Sequence, residues 1–568
     1  MVLRRLLFFL LLAVAALGLI GLLEPVLAAG GWTPAKALIF LCFIGVAPWL
    51  GVCVGNAALG FAVLLAARWP ARAVLPVRGG FDLTPITAQS ALAVTIRNER
   101  IETVLAPLGR LLEGLQSAGV AERFTAWVLS DTSDPDLAAA EQVALAAFPH
   151  PVRYRRRSGN VGFKAGNVMD FLDHHAEGLD FAIMLDADSE MSAAAVLRLV
   201  RIMQAAPRMG IVQHLTVGRP AAAAFPRLFQ FGMRAGMRVW ATGQAVWQGD
   251  EGPYWGHNAV LRIAPFRQHC RLERLRDGSE ILSHDQMEAA RLRAAGWGVC
   301  VWAKEAGSLE ANPPALPEFL ERDTRWLAGN LQYRHLLGLP GLRPMGRWQL
   351  VQAILLFAGA PLYVAMLALA AGVAAIGGWA AAEPRQVAAF SLAWLGAIYS
   401  PKLLGYAEVL LSRRRRARYG GGLRFAAGAT AEFVFSLLLD APAQVHKTLA
   451  MLGLALGLRP GWLAQNRAAR PVGWAEAARM FWPHTLFGVV VFAGFLWASP
   501  FAALWATPFA GGLPVAIPFA VLSADPRLSA WLRAHRIAAV PEEIPGALPL
   551  DPAGGAAPGT PAKGREAL

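Results

Sequence analysis

Long apolar runs constrain this chain more than any other feature of its sequence. About 18 apolar residues follow Arg4 and Arg5, a longer run covers 37–67, and further runs lie near 350–380, 386–411, 425–457 and 484–524. About 20 apolar residues are enough to cross the hydrocarbon core of a bilayer as a helix. With 55% hydrophobic and 16% charged residues, the chain has too little polar surface to cover itself in water. The sequence therefore predicts a polytopic membrane protein.

The first run has a second interpretation, as a secretory signal. It has a basic start, an apolar core and small residues near Ala28, which is the pattern of a cleaved signal. However, the core is long for a signal and a second spanning run follows at once. A first membrane helix is therefore the favoured interpretation.

The basic residues predict which loops face the cytoplasm. Arg4 and Arg5 precede the first run, and basic segments follow at 67–78 and 412–418, whereas the loops at 24–36 and 380–386 carry one basic residue each. Cytoplasmic loops are enriched in Lys and Arg, so 70–348 and both termini are expected in the cytoplasm. We expect four parts: two membrane helices at 1–70, a cytoplasmic domain at 71–348 ending in an interfacial helix at about 316–335, membrane or interfacial helices at 349–524, and a disordered cytoplasmic tail at 525–568. The segment 425–457 spans, re-enters or lies at the interface, which leaves six to eight spans.

The formal net charge of +14 could indicate a nucleic-acid binder. No nucleic-acid motif occurs in the sequence, and the arginine clusters lie at membrane boundaries. Cytoplasmic loops in contact with anionic lipid account for this charge. The expected partner is the lipid bilayer, and no nucleic acid is expected.

The middle of the chain alternates β-rich and helical segments. Strands are predicted at 91–96, 124–130, 152–157, 181–186 and 210–214, and helices at 101–118, 135–147, 166–177 and 192–206. Asp134 and Pro135 suit the N-cap and first turn of one helix. Such alternation predicts a mainly parallel sheet, in which ligands collect at the carboxyl ends of the strands. Asn98, Asp131 and Asp186 each follow or end a predicted strand, so they indicate one site.

Asp186 and Asp188 form a D-x-D motif at the end of one strand. Two carboxylates at this spacing can reach one divalent cation, and Mg²⁺ or Mn²⁺ prefers a few carboxylates together with phosphate oxygens. The motif therefore suits a nucleotide diphosphate. Alternatively, Asp188 or Ser189 merely leads into the following helix. No dinucleotide-binding or P-loop motif occurs.

Other polar segments accompany the D-x-D motif. "SGNVGFKAGN" places Lys164 and Asn167 in a glycine-rich stretch, and "YWGHNAVLR" places His257 and Asn258 before a later strand. "SHDQMEAARLRAAGWGV" places His284 and Asp285 at the start of a helix. Arg322, Arg325 and Trp326 lie on a helix just before the membrane, in "ERDTRWLAGNLQY". That helix by itself would be read as an amphipathic interfacial one.

These motifs, in this order, resemble the processive family 2 glycosyltransferases, the class that contains cellulose and hyaluronan synthases. That class has an Asp near the uridine, a D-x-D, a third Asp in T-E-D and a Q-x-x-R-W motif. Here Arg322 stands where Gln is usual, and T-E-D reads Ser283-His284-Asp285. Both departures resemble one branch, the glucans biosynthesis glucosyltransferase H family, over roughly 85–450. Members of that family often have a long cytoplasmic extension before the first span, of which this sequence shows almost nothing.

The resemblance implies an α/β cytoplasmic glycosyltransferase domain, GT-A-like with a mainly parallel sheet, inserted between α-helical transmembrane segments. It implies an inner-membrane, processive, inverting enzyme that builds a β-1,2 glucan backbone from UDP-glucose. Asp186 and Asp188 would hold Mg²⁺ or Mn²⁺, and Asp285 would be the general base, with His284 as the alternative. The expected substrate-binding residues are Asn98, Glu99, Asp131, Lys164, Asn167, Asp186, His257, Asn258, Arg322, Arg325 and Trp326. Besides UDP-glucose and the growing glucan, the implied partners are periplasmic glucan-processing proteins and acyl carrier protein.

Two other functions stay open at this point. Another processive synthase of the same class, making cellulose, hyaluronan or a different glucan, shares most of these motifs. A transporter with a cytoplasmic insert would need ionisable residues along the membrane interior, and the runs offer few: Lys402, Asp440, His446 and Lys447. Linkage, chain length and the linear or cyclic form of the product do not follow from the residues.

Overall fold

An α/β domain lies between two groups of long apolar helices. The structure is a computed structural model that describes residues 1–458 and 467–545. The N-terminal group comprises α1 (Val2–Ala28), α2 (Pro34–Ala66) and the short α3 (Pro70–Val74). α2 begins with Thr33 as its N-cap, whose hydroxyl accepts from the backbone N–H of Lys36, followed by Pro34 in the first turn. α1 and α2 pack against each other along their lengths.

The α/β domain has ten strands and eight α-helices in the described range 90–332. The strands are β1 (Ser90–Ile96), β2 (Phe124–Ser130), β3 (Val152–Arg156), β4 (Phe181–Asp186), β5 (Glu190–Met191), β6 (Met209–His214), β7 (Val217–Gly218), β8 (Ala259–Arg262), β9 (Gly298–Trp302) and β10 (Ser308–Glu310). The helices are α4 (Ile101–Ser117), α5 (Pro135–Ala146), α6 (Phe163–His174), α7 (Ala193–Ala205), α8 (Ala224–Gln248), α9 (Ile263–His269), α10 (Asp285–Ala294) and α11 (Leu316–Gln332).

The main sheet has seven strands in the order β3-β2-β1-β4-β8-β6-β9. All pairings are parallel except those of β8, which runs antiparallel to both β4 and β6. A second small sheet joins β5, β10 and β7 beside the first. The predicted mainly parallel sheet is confirmed, and the predicted N-cap Asp134 accepts from the N–H groups of Asp136 and Leu137 at 2.9 and 3.0 Å.

The sheet has a hydrophobic core on each face. Along β1, Leu92 and Val94 belong to one core, while Ala91 and Ala93 belong to the other. Because side chains alternate along a strand, a strand buried on both faces is apolar throughout, as the run "ALAV" shows. Helices α4 and α7 cover the first face, and α6 and α10 cover the second. These helices place the carboxyl ends of β1, β2 and β4 at one edge.

The remaining helices form the C-terminal group. A 3-10 turn at Tyr333–His335 follows α11. The helices are α12 (Pro344–Ala375), α13 (Pro384–Ile398), α14 (Ser400–Leu411), α15 (Arg413–Arg418), α16 (Gly422–Ala455), α17 (Trp474–Ala498), α18 (Pro500–Ala510), α19 (Ala516–Ser523) and α20 (Pro526–Ala534). Within the described residues, five helices are long and apolar enough to cross a membrane: α1, α2, α12, α16 and α17. The pair α13 and α14, bent by 74°, would make a sixth. Residues 425–455 lie in one continuous helix of 34 residues, α16, rather than in a hairpin.

Helix α8 joins the α/β domain to the long apolar helices. It packs against α2, α14 and α16. A Cβ on Gly60 of α2 would lie 1.9 Å from the carbonyl oxygen of Val239, so only glycine permits this close approach. Near the end of α8 the Trp247 ring stacks on Phe8 at 3.8 Å, and its indole N–H donates to Asn56 at 2.9 Å. Neither contact is visible in the local sequence.

The prediction of a disordered tail at 525–568 is wrong for the part that the structure describes, 525–545. Asp525 caps α20, and the Ser529 hydroxyl accepts from the backbone N–H of Ala224 at the start of α8. Glu542 and Glu543 then pair with Arg234 and Arg227, which are buried on α8. Those partners are distant in sequence, so the Pro- and Ala-rich composition of the tail did not reveal them. Residues 546–568 lie outside the described part of the chain.

Candidate active site

The carboxyl edge of the sheet opens into a cavity of about 760 Å³. It extends from the ends of β1, β2 and β4 to the N-terminal part of α12. Twelve of the residues singled out from the sequence line it: Glu99, Asp131, Lys164, Asn167, Asp186, Asp188, His257, His284, Asp285, Arg322, Arg325 and Trp326. The fold therefore brings together side chains from segments that are far apart in the sequence.

Asn98 and Asn258 lie beside the cavity rather than in its lining, and both have positive φ. The Asn98 side-chain oxygen accepts from the N–H groups of Ser133 and Asp134, at 2.9 and 3.2 Å. Asn258 is buried and donates to the Ser308 hydroxyl at 2.9 Å, which joins the main sheet to the small one. The observed contacts of both residues hold loops in place.

Asp131 follows β2 and is paired within the protein. Its two carboxylate oxygens accept from the guanidinium of Arg157 at 2.7 and 2.5 Å. Arg157 also donates to the carbonyl oxygens of Val161 and Phe163 at 3.1 Å, which fixes the glycine-rich loop. Asn167 donates to the Leu129 carbonyl at 3.0 Å from the other side. These hydrogen bonds hold Asp131 and the glycine-rich loop in place and form one wall of the cavity.

Asp186, the first acid of the D-x-D motif, contacts the ammonium group of Lys164. Lys164 also donates to the Gly256 carbonyl at 2.9 Å. Burial alone would raise the pKa of the Asp186 carboxyl, but Lys164 and His257 outweigh burial and hold that pKa at about 2. Asp186 is therefore ionised at neutral pH.

Asp188, the second acid, lies 3.5 Å from the guanidinium of Arg467. Arg467 comes from the segment between α16 and α17, and sequence reasoning missed it because no local pattern marks a single arginine there. Burial raises the pKa of nearby Glu99, and Arg467 opposes that shift. By contrast, Glu190 pairs with Arg110 at 3.0 Å and is not part of the cavity lining.

Asp285 begins α10 on the opposite side of the cavity, with His284 as the N-cap residue. The Tyr333 hydroxyl lies 3.4 Å from the Asp285 carboxylate and 3.0 Å from the Ser283 carbonyl oxygen. Burial raises the pKa of Asp285, although His284 opposes the shift. Burial would lower the pKa of His284, but Glu288, at 2.9 Å, outweighs it and raises that pKa. His284 is thus engaged by its own helix, whereas burial is the main influence on Asp285.

Gly256 lies between the two halves of the site. Its φ is +90°, and a Cβ placed there would lie 3.6 Å from the Asp285 Cβ and 3.8 Å from the Lys164 ammonium. Asp285 and Lys164, the lysine that pairs with Asp186 of the D-x-D motif, therefore face each other across one glycine. A reacting group bound over Gly256 would touch both.

The segments "YWGHNAVLR" and "ERDTRWLAGNLQY" provide the far wall of the cavity. His257 lies 3.4 Å from Glu310 of β10. Burial raises the pKa of Glu310, and His257 opposes that shift. On α11, the Arg322 guanidinium lies 4.5 Å from the centroid of the Trp326 ring, and that ring remains 48% exposed. An exposed aromatic face held by a cation suits a sugar ring, whose C–H groups pack on aromatic surfaces. Arg325 lines the cavity on the same helix.

Comparison with known proteins places the chain in a family. A model described as glycosyl transferase family group 2 matches residues 181–402. Glucans biosynthesis glucosyltransferase H of Caulobacter vibrioides is 32% identical over 550 residues, 91% of this chain and 81% of its own length. The same protein of Bradyrhizobium diazoefficiens is 31% identical over 597 residues, which cover 96% of this chain and 78% of that protein. This chain belongs to the glucans biosynthesis glucosyltransferase H family.

Other glucosyltransferase H proteins are longer than this chain. The relative from Pseudomonas putida strain W619 is 32% identical over 531 residues, which cover 89% of this chain but 61% of that protein. Two solved structures also match this chain, each at 14% identity. A mannosyltransferase from Pyrobaculum calidifontis in complex with GDP-Man and Mn²⁺ has a TM-score of 0.41, over 72% of this chain and 100% of its own. Staphylococcus aureus TarS 1–349 has a TM-score of 0.29, over 56% of this chain and 90% of its own.

The donor set of this chain fits a divalent cation that shares phosphate ligands. Among the described residues, no group of three or more His, Cys, Asp or Glu side chains could enclose a metal ion. The D-x-D motif offers two carboxylates, each with a cationic side chain from elsewhere in the fold. Mg²⁺ commonly binds through one or two carboxylates plus substrate phosphates, so this acidic pair fits such an ion together with a diphosphate.

Proposed function

We propose that this chain is a processive, inverting glucosyltransferase of the inner membrane with a cytoplasmic catalytic domain. It uses UDP-glucose to extend the β-1,2 glucan backbone of osmoregulated periplasmic glucans and passes the product into the membrane helices. The observation that carries the proposal is the meeting of Lys164 and Asp285 across Gly256. It joins a diphosphate site to a base in one cavity.

The donor end of the cavity suits a nucleoside diphosphate sugar. Asp131 and Arg157 form the wall where the uridine would bind. Asp186 and Asp188 would hold Mg²⁺ or Mn²⁺, which, when bound, supplies charge neutralisation for the diphosphate. Lys164 and Arg467 already face these acids, so both cations are placed to contact the phosphates. Arg325 is on the adjoining wall.

Transfer needs a base on the opposite side of the sugar. An acceptor hydroxyl becomes a good nucleophile only when its proton is removed in the transition state. Asp285 takes that proton, the acceptor oxygen bonds to C1 of glucose, and the bond from C1 to the phosphate oxygen breaks with its electron pair leaving on UDP. One such displacement inverts C1, so an α-linked donor gives a β-linked product.

The acceptor end of the cavity suits a sugar polymer. Beyond Trp326, the lining continues onto the membrane helices with Trp49 of α2 and Trp240 of α8, whose ring centroids are 5.8 Å apart. Three buried glutamines line the same end, and within the described structure their side-chain oxygens have no hydrogen-bond partner: Gln244, Gln349 and Gln352. Buried amide oxygens are costly when unpaired, and glucan hydroxyls would satisfy them.

The test is a product analysis with the full chain in lipid nanodiscs. UDP-[¹⁴C]glucose and Mg²⁺ should give a radiolabelled polymer whose linkage is β-1,2, and EDTA should abolish it. The Asp188→Asn protein is the matched negative control. A purely β-1,4 product, or incorporation of another sugar, would reject the glucan branch in favour of another synthase of the class. Absence of any polymer from wild type would reject the enzyme itself.

A further inference from the structure

A buried carboxylate lies behind the nucleotide wall and takes no part in the chemistry described above. Glu141 of α5 is fully buried. Its carboxylate accepts from three hydroxyl groups: Ser130 at 2.8 Å, Thr132 at 2.5 Å and Tyr154 at 2.7 Å. Burying a carboxylate is costly unless hydrogen bonds compensate, and an apolar residue would fill the same helix face more cheaply. The burial of Glu141 among three hydroxyl donors therefore calls for a functional explanation.

Two of the three donors flank Asp131 in the sequence. Because an ionised carboxylate can only accept, it forces the hydroxyls of Ser130 and Thr132 to donate to it. Their lone pairs are then free for other donors. The Ser130 oxygen accepts from the backbone N–H of Thr132 at 3.1 Å, and the Thr132 oxygen accepts from the N–H of Asn98 at 2.9 Å. The backbone is thus fixed on both sides of Asp131.

The same hydrogen bonds tie together the loops that follow β1 and β2. Asn98 in turn accepts from the N–H of Ser133 at 2.9 Å. Glu141 is the shared acceptor behind this network, and it reaches Asp131 only through its neighbours. Changes at Glu141 should therefore alter the placement of Asp131 without removing any group that touches the ligand.

We propose that Glu141 is a positioning residue that orients Asp131 and so sets the preference for a uracil base in the donor. This inference rests on the proposed function, because it assumes that Asp131 faces the uridine. In the Glu141→Gln protein the side-chain volume is kept, but the amide NH₂ can only donate. One of the three hydroxyls must then turn round, and the loop at 130–132 loses its fixed hydrogen-bond directions.

The experiment compares binding of UDP and ADP to the full chain in nanodiscs with Mg²⁺, by isothermal titration calorimetry. The preference of wild type for UDP should fall about tenfold in Glu141→Gln, in line with loss of a hydrogen bond to a charged group. Thr132→Val, which removes one flanking hydroxyl, should show the same loss and decides the matter if Glu141→Gln does not fold. Tyr154→Phe removes the donor that does not adjoin Asp131, and Glu122→Gln changes an exposed acid; both should keep the wild-type preference.

The possible failures are distinguishable. If Glu141→Gln and Thr132→Val lower the melting temperature but keep the wild-type preference for UDP, Glu141 is merely structural and the inference is overturned. An equal loss of preference in Tyr154→Phe would also overturn it, because the effect would then be one of general packing. If wild type itself does not prefer UDP, the proposed donor is wrong, and the inference falls with it.

Discussion

Arg467 lies 3.5 Å from Asp188, although the two residues are far apart in the sequence. Asp188 belongs to the D-x-D motif at the edge of the sheet, whereas Arg467 precedes α17, one of the long apolar helices. The segment before α17 therefore brings a positive charge to the edge of the sheet. This guanidinium lies beside a carboxylate that would also hold a divalent cation.

Arg467→Gln should bind Mn²⁺ more tightly in the absence of nucleotide. The guanidinium competes with the ion for Asp188, and a partly exposed ion pair is worth about 1 kcal/mol, or about fivefold in affinity. Electron paramagnetic resonance titration of free Mn²⁺ measures the change. Arg479→Gln, an exposed arginine on α17, is the matched control. Equal Mn²⁺ affinity in the two variants would show that Arg467 does not compete for Asp188.

Asp188→Asn should remove most glucan synthesis and weaken Mg²⁺-dependent binding of UDP, because it deletes a ligand that the ion needs. Glu190→Gln is the matched control from the same acidic stretch, since Glu190 pairs with Arg110 away from the cavity lining. Polymer yield and calorimetric titration with UDP, with and without EDTA, give both readouts. Full activity of the Asp188→Asn protein would show that the D-x-D motif is only a turn and does not bind a required ion.

Asp285→Asn should keep UDP-glucose binding but lose transfer by at least ~10²-fold, the low end for general-base catalysis. His284→Gln should lose less, because the His284 ring is hydrogen-bonded to Glu288 on its own helix. Single-turnover transfer and equilibrium binding, measured on the same preparations, separate the two effects. Near wild-type transfer by Asp285→Asn would move the base assignment to His284.

The pH profile of turnover should report the raised pKa of Asp285. A base works only when deprotonated, so activity is lost as the pH falls through its pKa. Since burial raises the pKa of Asp285, the acid limb of kcat should lie above the ordinary aspartate value of about 3.9. The Tyr333 hydroxyl shares its one proton between the Ser283 carbonyl at 3.0 Å and the Asp285 carboxylate at 3.4 Å. Tyr333→Phe removes this share and should move the limb slightly to higher pH. An acid limb that does not move in Tyr333→Phe, compared with Tyr154→Phe, would contradict this.

Gly256→Ala should reduce transfer by about tenfold or more, because its Cβ would enter the space between Asp285 and Lys164 in which the proposed reaction puts the sugar. The change also strains the backbone, since φ at this position is +90°. Gly278→Ala controls for that strain: Gly278 has φ +78° with no atom within 4 Å of the added Cβ. Equal transfer by the two alanine variants would place the substrate elsewhere.

Local sequence patterns were enough to predict most of the strands and helices of the α/β domain and the acids of the site, but not α8, α9 or β9. A strand buried on both faces is apolar throughout, and the start of α5 is marked by its cap Asp134, so both are visible in short stretches of sequence. The order of the motifs also identified the family, which the comparisons confirmed. Partners that are distant in sequence leave no such mark. Arg467, Arg157 and Tyr333 are ordinary residues until the fold brings them to Asp188, Asp131 and Asp285.

The sequence by itself therefore determined the apolar helices, the mainly parallel sheet and the acids at its carboxyl edge, because each depends on residues close together along the chain. Only the tertiary structure decided which cation faces which acid, that Gly256 separates Lys164 from Asp285, and that residues 525–545 fold against α8. The first two outcomes depend on contacts between loops that are far apart in the sequence. The third depends on ion pairs between buried arginines of α8 and the glutamates at 542–543. Such contacts arise from the three-dimensional path of the chain, which no short segment contains.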